Sequence, residues 1–187
     1  MNYINKKVEE FKVPAYKDRA LTEVSSEDLK GQWSVLFFYP GDFTFVCPTE
    51  LEELQGLYSE FKNLGVEIYG VSTDSEFVHK AWLDASEQMS KVEYPLLSDR
   101  GFSLSRQFGV LKEADGQSRR GTFLINPDLD IVLYEISADG IGRNAKELLR
   151  KVKAAQYVHK YGDQVCPASW EPGEDTLTPG IDLVGKL

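Results

Sequence analysis

The segment from Trp33 to Thr73 constrains the fold more than any other. It opens with WSVLFFYP, an aromatic and aliphatic run closed by Pro-Gly, which reads as a buried strand. From Pro48 to Leu64 the apolar residues Leu51, Leu54, Tyr58, Phe61 and Leu64 recur at steps of three and four, one face of a helix that Gly65 closes. VEIYGVST, Val66 to Thr73, is the next strand. Strand, helix and strand in immediate succession predict a parallel unit in an open sheet.

The remaining pattern extends that sheet. DSEFVHKAWLDASEQM predicts a helix capped by Asp74 or Ser75. YPLLSD, Tyr94 to Asp99, predicts a short strand and SLSRQFG a short helix. RGTFLINPDLDIVLYEIS predicts a hairpin about Asn126-Pro127-Asp128-Leu129-Asp130, and Asn144 to Gly162 the final helix. The expected fold is α/β, a central mixed sheet flanked by helices. After Gly162 the composition turns to proline and glycine without sustained periodicity. Residues 1–161 are therefore expected to form the main domain and 162–187 an extended C-terminal arm. An arm carrying Trp170, Ile181, Leu183 and Val184 has few ways to bury them on itself, so it is expected to pack against a neighbouring subunit.

At 187 residues and 42% hydrophobic, the chain can build a core without a metal or disulfide staple. Its net charge of -9 argues against nucleic acid or an anionic membrane as partner. No segment approaches a membrane span, and MNYINKKVEEF lacks the apolar stretch of a signal peptide. A cytoplasmic location is expected, where thiols rest reduced.

Two cysteines in that setting favour catalysis or plain burial over a permanent cross-link. Cys47 lies in FYPGDFTFVCPTEL, at the boundary between strand and helix. With Pro48 at the first helical position, Cys47 is the expected N-cap and Glu50 the third-position acid of a capping box. The sulfur then faces unpaired backbone N–H groups and the positive end of the helix dipole, a setting that favours thiolates. Three readings stay open on the residues alone: an apolar filler beneath the sheet, half of a disulfide, or a reactive thiol. Glu50 occupies the position three residues after Cys47, which excludes a local dithiol. Thr44, three residues before it, offers a hydroxyl to a thiolate or a substrate oxygen. No Cys-x-x-Cys or His-x₃-His spacing exists, so no metal is expected. His79 reads as an exposed or satisfied helix residue, and His159 as a dipole contact near a helix end. Trp82 and Trp170 read as packing residues or as neighbours of the cysteines. The glycines of DGIGR lack a strand-turn-helix context, so no bound nicotinamide or flavin is expected.

FYPGDFTFVCPTEL resembles the peroxiredoxin signature Pro-x-x-x-Thr-x-x-Cys, with Pro40, Thr44 and Cys47 in register. GDQVCPASW resembles the segment around the resolving cysteine of typical two-cysteine members. RGTFLINP and GIGRNAKELLR resemble the two segments that carry active-site arginines. VSTDSEFVHKAWL and DLVGKL bring the chain nearest to the bacterial alkyl hydroperoxide reductase branch of the family. The resemblance runs from about Tyr3 to Leu187, and it implies a thioredoxin-like fold.

By that resemblance Cys47 is the peroxidatic residue, oxidised to a sulfenic acid. Cys166 is the resolving residue, joined to it by a disulfide across a two-fold dimer. Thr44 and Arg120 hold thiolate and peroxide, Pro40 shields the pocket, and Glu50 and Arg143 support it. Arg119 has no counterpart. The resemblance implies no bound cofactor: electrons come from NADH or NADPH through a separate reductase, either a dedicated flavoprotein disulfide reductase with a dithiol domain or thioredoxin. It implies a homodimer and a ring of five dimers. The matching loop MSKVEYPLL and the ending DLVGKL lack the features of overoxidation-sensitive eukaryotic members, so disulfide formation is expected to outrun sulfinic acid. A holdase chaperone and a thioredoxin-like oxidoreductase are the competing functions. Ionisation alone is a modest lever, because a thiol of pKa about 8.5 is already about 3% thiolate at pH 7. Donors aimed at the leaving oxygen are worth on the order of 10²–10³ in rate, so Arg120 is expected to act chiefly on the peroxide.

Overall fold

The structure, a computed structural model, describes residues 2–186. Its strands are Lys12–Lys17 (β1), Ala20–Ser25 (β2), Trp33–Phe38 (β3), Val66–Ser72 (β4), Leu96–Ser98 (β5), Leu111–Lys112 (β6), Gln117–Ser118 (β7), Arg120–Ile125 (β8) and Ile131–Ser137 (β9). Its α-helices are Cys47–Asn63 (α1), Glu76–Ala85 (α2), Ser103–Gln107 (α3) and Ala145–Lys160 (α4). Two compact units divide the chain, Met1–Ala145 and Lys146–Leu187. That packing seam falls at the start of α4, whereas the change in composition falls after it.

In the first unit seven strands form one sheet of order β2-β1-β5-β4-β3-β8-β9. β3 pairs parallel with β4 and antiparallel with β8, and β4 pairs parallel with β5. The sheet is thus mixed, parallel at its centre and antiparallel at both sides. All residues of β3, β4 and β8 are buried, as unbroken apolar runs require of central strands. α1 buries Leu51, Leu54, Tyr58 and Phe61 along one face and packs on β4. Leu64 caps it half-buried, and Gly65 follows at φ 69°, the left-handed turn that glycine takes at least cost. Ser75 caps α2, its hydroxyl accepting from the Val78 N–H, and the helix stops at Ala85, short of its predicted end.

The hairpin of β1 and β2 has no counterpart in the sequence prediction. Pro14 interrupts the first run, and the turn is Asp18-Arg19 in place of the usual Asn-Gly. Both turn residues take positive φ, 50° and 59°. β1 joins the sheet through only Ala15 and Tyr16, paired with Leu97 and Leu96 of β5.

In the second unit the chain turns back along α4 after Gly162. Val165 and Leu177 form an antiparallel bridge, and the buried Trp170 ring lies 4.9 Å from that of Tyr157. Trp170 therefore finds cover within its own chain, which corrects the expectation for that residue: a short bridge is enough to fold the segment back on the helix. Ile181 and Val184 remain exposed.

Candidate active site

Cys47 is fully buried in the first turn of α1. The cap falls one residue earlier than the sequence suggested. Val46 already has helical backbone angles, and its carbonyl accepts from the N–H groups of Thr49 (3.1 Å) and Glu50 (3.3 Å). Cys47 is thus the first helical residue and Pro48 the second. Glu50 forms no capping box, because two guanidinium groups draw its carboxylate away from the cap.

Arg143 approaches Glu50 with its backbone N–H and its Nε, both 2.9 Å from Oε1, and with Nη2, 3.0 Å from Oε2. Its Nη1 donates to the Gly121 carbonyl (2.9 Å) and to Thr122 Oγ1 (3.2 Å). The guanidinium lies over the Phe37 ring of β3, 3.4 Å from its centroid. Arg120, the first residue of β8, reaches the same carboxylate. Its Nη1 is 2.7 Å from Glu50 Oε2 and 3.4 Å from Cys47 Sγ, and its Nε donates to the Asp139 carbonyl at 2.7 Å. Among the described residues no hydrogen bond engages Nη2 of Arg120. Arg119 is exposed while Arg120 is buried. A Cβ on the neighbouring Gly121 would come 2.7 Å from Val110 Cγ1, so only glycine lets β8 lie this close.

Burial works to raise the Glu50 pKa, but the hydrogen bonds and charge of Arg143 and the charge of Arg120 outweigh it and hold the carboxyl below its ordinary range. For Arg120 burial works to lower the pKa, and the contacts with Cys47 and Glu50 outweigh that and push it up. The cluster is an ionised carboxylate between two guanidinium groups, with the buried Cys47 sulfur beside Arg120.

The loop before Cys47 is tied down by a second buried network. Tyr39 donates to Asp42 Oδ1 at 2.7 Å, and Asp42 Oδ2 lies 2.7 Å from His79 Nδ1. His79 Nε2 is 3.2 Å from the Leu97 carbonyl. A carbonyl only accepts, so a hydrogen bond there takes its hydrogen from Nε2. The Asp42 N–H donates to Asp74 Oδ2 at 2.8 Å. Burial pushes the Asp42 pKa up, against the opposing pull of His79. Pro40 is buried at the head of this loop. Trp82 lies beneath it, its ring 6.2 Å from that of Tyr39 and 6.1 Å from that of Phe43.

Cys47, Glu50, Arg120 and Arg143, which the resemblance assigned to the site, lie together in the structure. The half-buried Thr44 stands in the loop with its hydroxyl hydrogen committed to the Gly41 carbonyl at 2.7 Å, which leaves its lone pairs to accept. Cys166 belongs to the second unit and is half-buried; both thiols are free. Burial raises the Cys166 pKa, with the Arg150 charge acting against it. Tyr39 and Asp42 went unread, and Asp74, read as a possible cap of α2, instead holds the loop while Ser75 caps the helix. The one signal of the first two was His79, three residues before the buried Trp82 and so on the same inward face of α2. Among the described residues no group of three or more His, Cys, Asp or Glu side chains is placed to hold a metal, and no helix is long and apolar enough to cross a membrane.

Comparison with known proteins bears on this arrangement directly. The AhpC/TSA family model matches residues 4–134, and the C-terminal domain of 1-Cys peroxiredoxin matches residues 154–182, the stretch that contains Cys166. Alkyl hydroperoxide reductase C of Bacillus subtilis is 55% identical over the whole of both chains. The crystal structure of Enterococcus faecalis AhpC superposes with TM-score 0.87 at 52% identity, covering 89% of this chain and 100% of that one. The reduced 2-Cys peroxiredoxin of Plasmodium vivax superposes with TM-score 0.92 at 34% identity, covering 97% and 96%. The chain belongs to the AhpC/TSA family: it is a peroxiredoxin, an enzyme of thiol-dependent peroxide reduction.

Proposed function

We propose that the chain reduces hydrogen peroxide and organic hydroperoxides through Cys47 and is returned to its thiol state through Cys166. The observation that carries this reading is the approach of Arg120 Nη1 to Cys47 Sγ inside a buried ion cluster, 3.4 Å away. Two guanidinium charges meet one carboxylate there, and a Cys47 thiolate supplies the second negative charge. Balanced charge is what a buried cluster requires.

In the first step the Cys47 sulfur attacks one peroxide oxygen. An S–O bond forms and the O–O bond breaks, and the leaving hydroxide or alkoxide takes a proton to become water or alcohol. Sulfur is oxidised to the sulfenic acid as the peroxide is reduced. Arg120 presents Nη2 to the oxygen on which charge grows, a preorganised donor in a water-poor site. Thr44, its own hydrogen already donated, accepts from the peroxide O–H and orients it. Pro40 closes the pocket wall. Glu50 and Arg143 fix the Arg120 guanidinium.

In the second step the Cys166 thiolate attacks the Cys47 sulfenic sulfur. An S–S bond forms, the S–O bond breaks, and hydroxide leaves as water. We read this disulfide as intersubunit, within a homodimer and a ring of five such dimers. A separate dithiol reductase, a dedicated flavoprotein disulfide reductase or thioredoxin, returns both thiols with electrons from NADH or NADPH, and no cofactor is bound by the chain itself. Two thiols that must begin each cycle reduced support a cytoplasmic setting and a role in antioxidant defence.

The test is one equivalent of hydrogen peroxide added to a mixture of Cys47→Ser and Cys166→Ser proteins that have been allowed to exchange subunits, and to the parent protein. The expected product is a covalent two-chain band whose linked peptide joins Cys47 of one chain to Cys166 of the other. A Cys47 thiol that survives the peroxide overturns the proposal. A linked peptide confined to single chains overturns the intersubunit reading alone.

A further inference from the structure

The second unit contains a device that the roles assigned above leave unused. Glu147, Arg150, Ala154 and Tyr157 follow one another along α4 at steps of three and four, so they form a single stripe. Cys166 Sγ lies 3.9 Å from the Ala154 carbonyl, within reach of an S–H hydrogen bond. Trp170 packs on Tyr157, and Tyr157 meets Thr176 through its hydroxyl at 3.4 Å. Arg150 sits one turn before Ala154 and donates Nη1 to the Trp170 carbonyl at 3.1 Å. Glu147 grips the other side of the same guanidinium, accepting from Nε at 2.7 Å and from Nη2 at 2.8 Å.

This setting resists the thiolate that the resolving step needs. Partial burial disfavours the charged sulfur, and a carbonyl neighbour stabilises S–H and repels S⁻. α4 carries Lys146, Glu147, Arg150, Lys151, Lys153, His159 and Lys160, and the returning segment Asp163, Glu171, Glu174 and Asp175; Glu147 holds both Arg150 and Lys151, and Lys153 lies 3.9 Å from Glu171. Of these, Arg150 is bonded to the turn that contains the sulfur, and its charge acts on Cys166. We infer that Arg150 is the positioning residue of the resolving step, pinning the Cys166–Trp170 turn to α4 and supplying the positive charge that lets Cys166 attack as a thiolate. Glu147 sets the strength of that charge by partly neutralising it. The inference rests on the reading of Cys166 as the resolving cysteine.

The test uses full-length Cys47→Ser protein, in which Cys166 is the lone thiol, and follows its alkylation by iodoacetamide against pH. Arg150→Met is expected to raise the midpoint by about one unit, which is about tenfold less thiolate at neutral pH. Glu147→Gln is expected to lower the midpoint, because it leaves the Arg150 charge less compensated. A merely structural role would move both variants in the same direction, and that result, or an unchanged midpoint in Arg150→Met, overturns the inference. Should Arg150→Met fail to fold, Arg150→Lys decides the matter together with Glu147→Gln: it is expected to keep the parental midpoint, and a clear rise in it overturns the charge role. In protein with both cysteines, Arg150→Met is expected to slow the Cys47–Cys166 disulfide by about threefold or more, because the tenfold loss of thiolate is partly offset by its higher nucleophilicity, while the sulfenic acid forms at the parental rate. An unchanged disulfide rate overturns the inference. If Cys166 is not the resolving residue, the parent protein itself yields no such disulfide, and the alkylation midpoints still report on Arg150.

Discussion

Glu50 is the residue on which the site's electrostatics turn. Its two oxygens accept from Arg143 three times and from Arg120 once, all out of contact with water. Removing its charge leaves two guanidinium groups buried side by side. Glu50→Gln is expected to destabilise the fold by about 3–5 kcal/mol, read as a shift in the urea midpoint without loss of cooperativity. The pH dependence follows from the depressed pKa of Glu50 in the folded state. The folded carboxylate holds fewer protons than the unfolded one, so its stabilisation is complete above the ordinary glutamate value of about 4.3 and is lost as pH falls through the lower folded value. Urea midpoints measured from pH 6 downward should fall more steeply below a pH of about 4.3 in the parent than in Glu50→Gln. Parallel curves would contradict the cluster. The residue types here were legible in the chain, and their partners were only partly so. A glutamate three residues into a helix reads locally as a cap, and only long-range pairing reveals Arg143 as its partner.

At the scale of elements, the first turn of α1 and the loop before it act as one part. The loop is held by Asp42, His79 and Asp74 and the turn by Val46 and Glu50, while Phe43 at φ 54° sits in a strained left-handed conformation. A fully buried Cys47 sulfur cannot meet a second thiol at disulfide geometry unless this turn opens. The Cys47 to Leu54 segment should therefore lose protease resistance in the disulfide form and regain it on reduction, because local opening exposes backbone to cleavage. An identical digestion pattern in the two forms would count against opening. The central strands and α1 were legible because burial on both faces or on one face leaves a period in the chain. The hairpin of β1 and β2 was not, since its strands carry lysines and Pro14 and its turn lacks glycine. Likewise the fold-back of Trp170 depends on Tyr157 and on a single bridge, for which no local pattern exists.

At the scale of the molecule, sheet order is what assembles the chemistry. Arg120 is 73 residues from Cys47 in sequence, and it arrives beside the sulfur because β8 pairs with β3, Gly121 opposite Phe38. Arg143 follows from the loop beyond β9. The mixed sheet therefore converts two distant arginines into one charged wall, and by the proposed mechanism this wall acts on the departing oxygen more than on the sulfur. The most direct test compares two reactions of Cys47 in the parent and in Arg120→Met, with hydrogen peroxide and with iodoacetamide. Both need the thiolate, but only the peroxide reaction needs a donor for a leaving oxygen. The peroxide rate constant is expected to fall by about 10²–10³ and the alkylation rate by about tenfold or less. An equal fall in both reactions would contradict the account, for Arg120 would then serve only to ionise the sulfur.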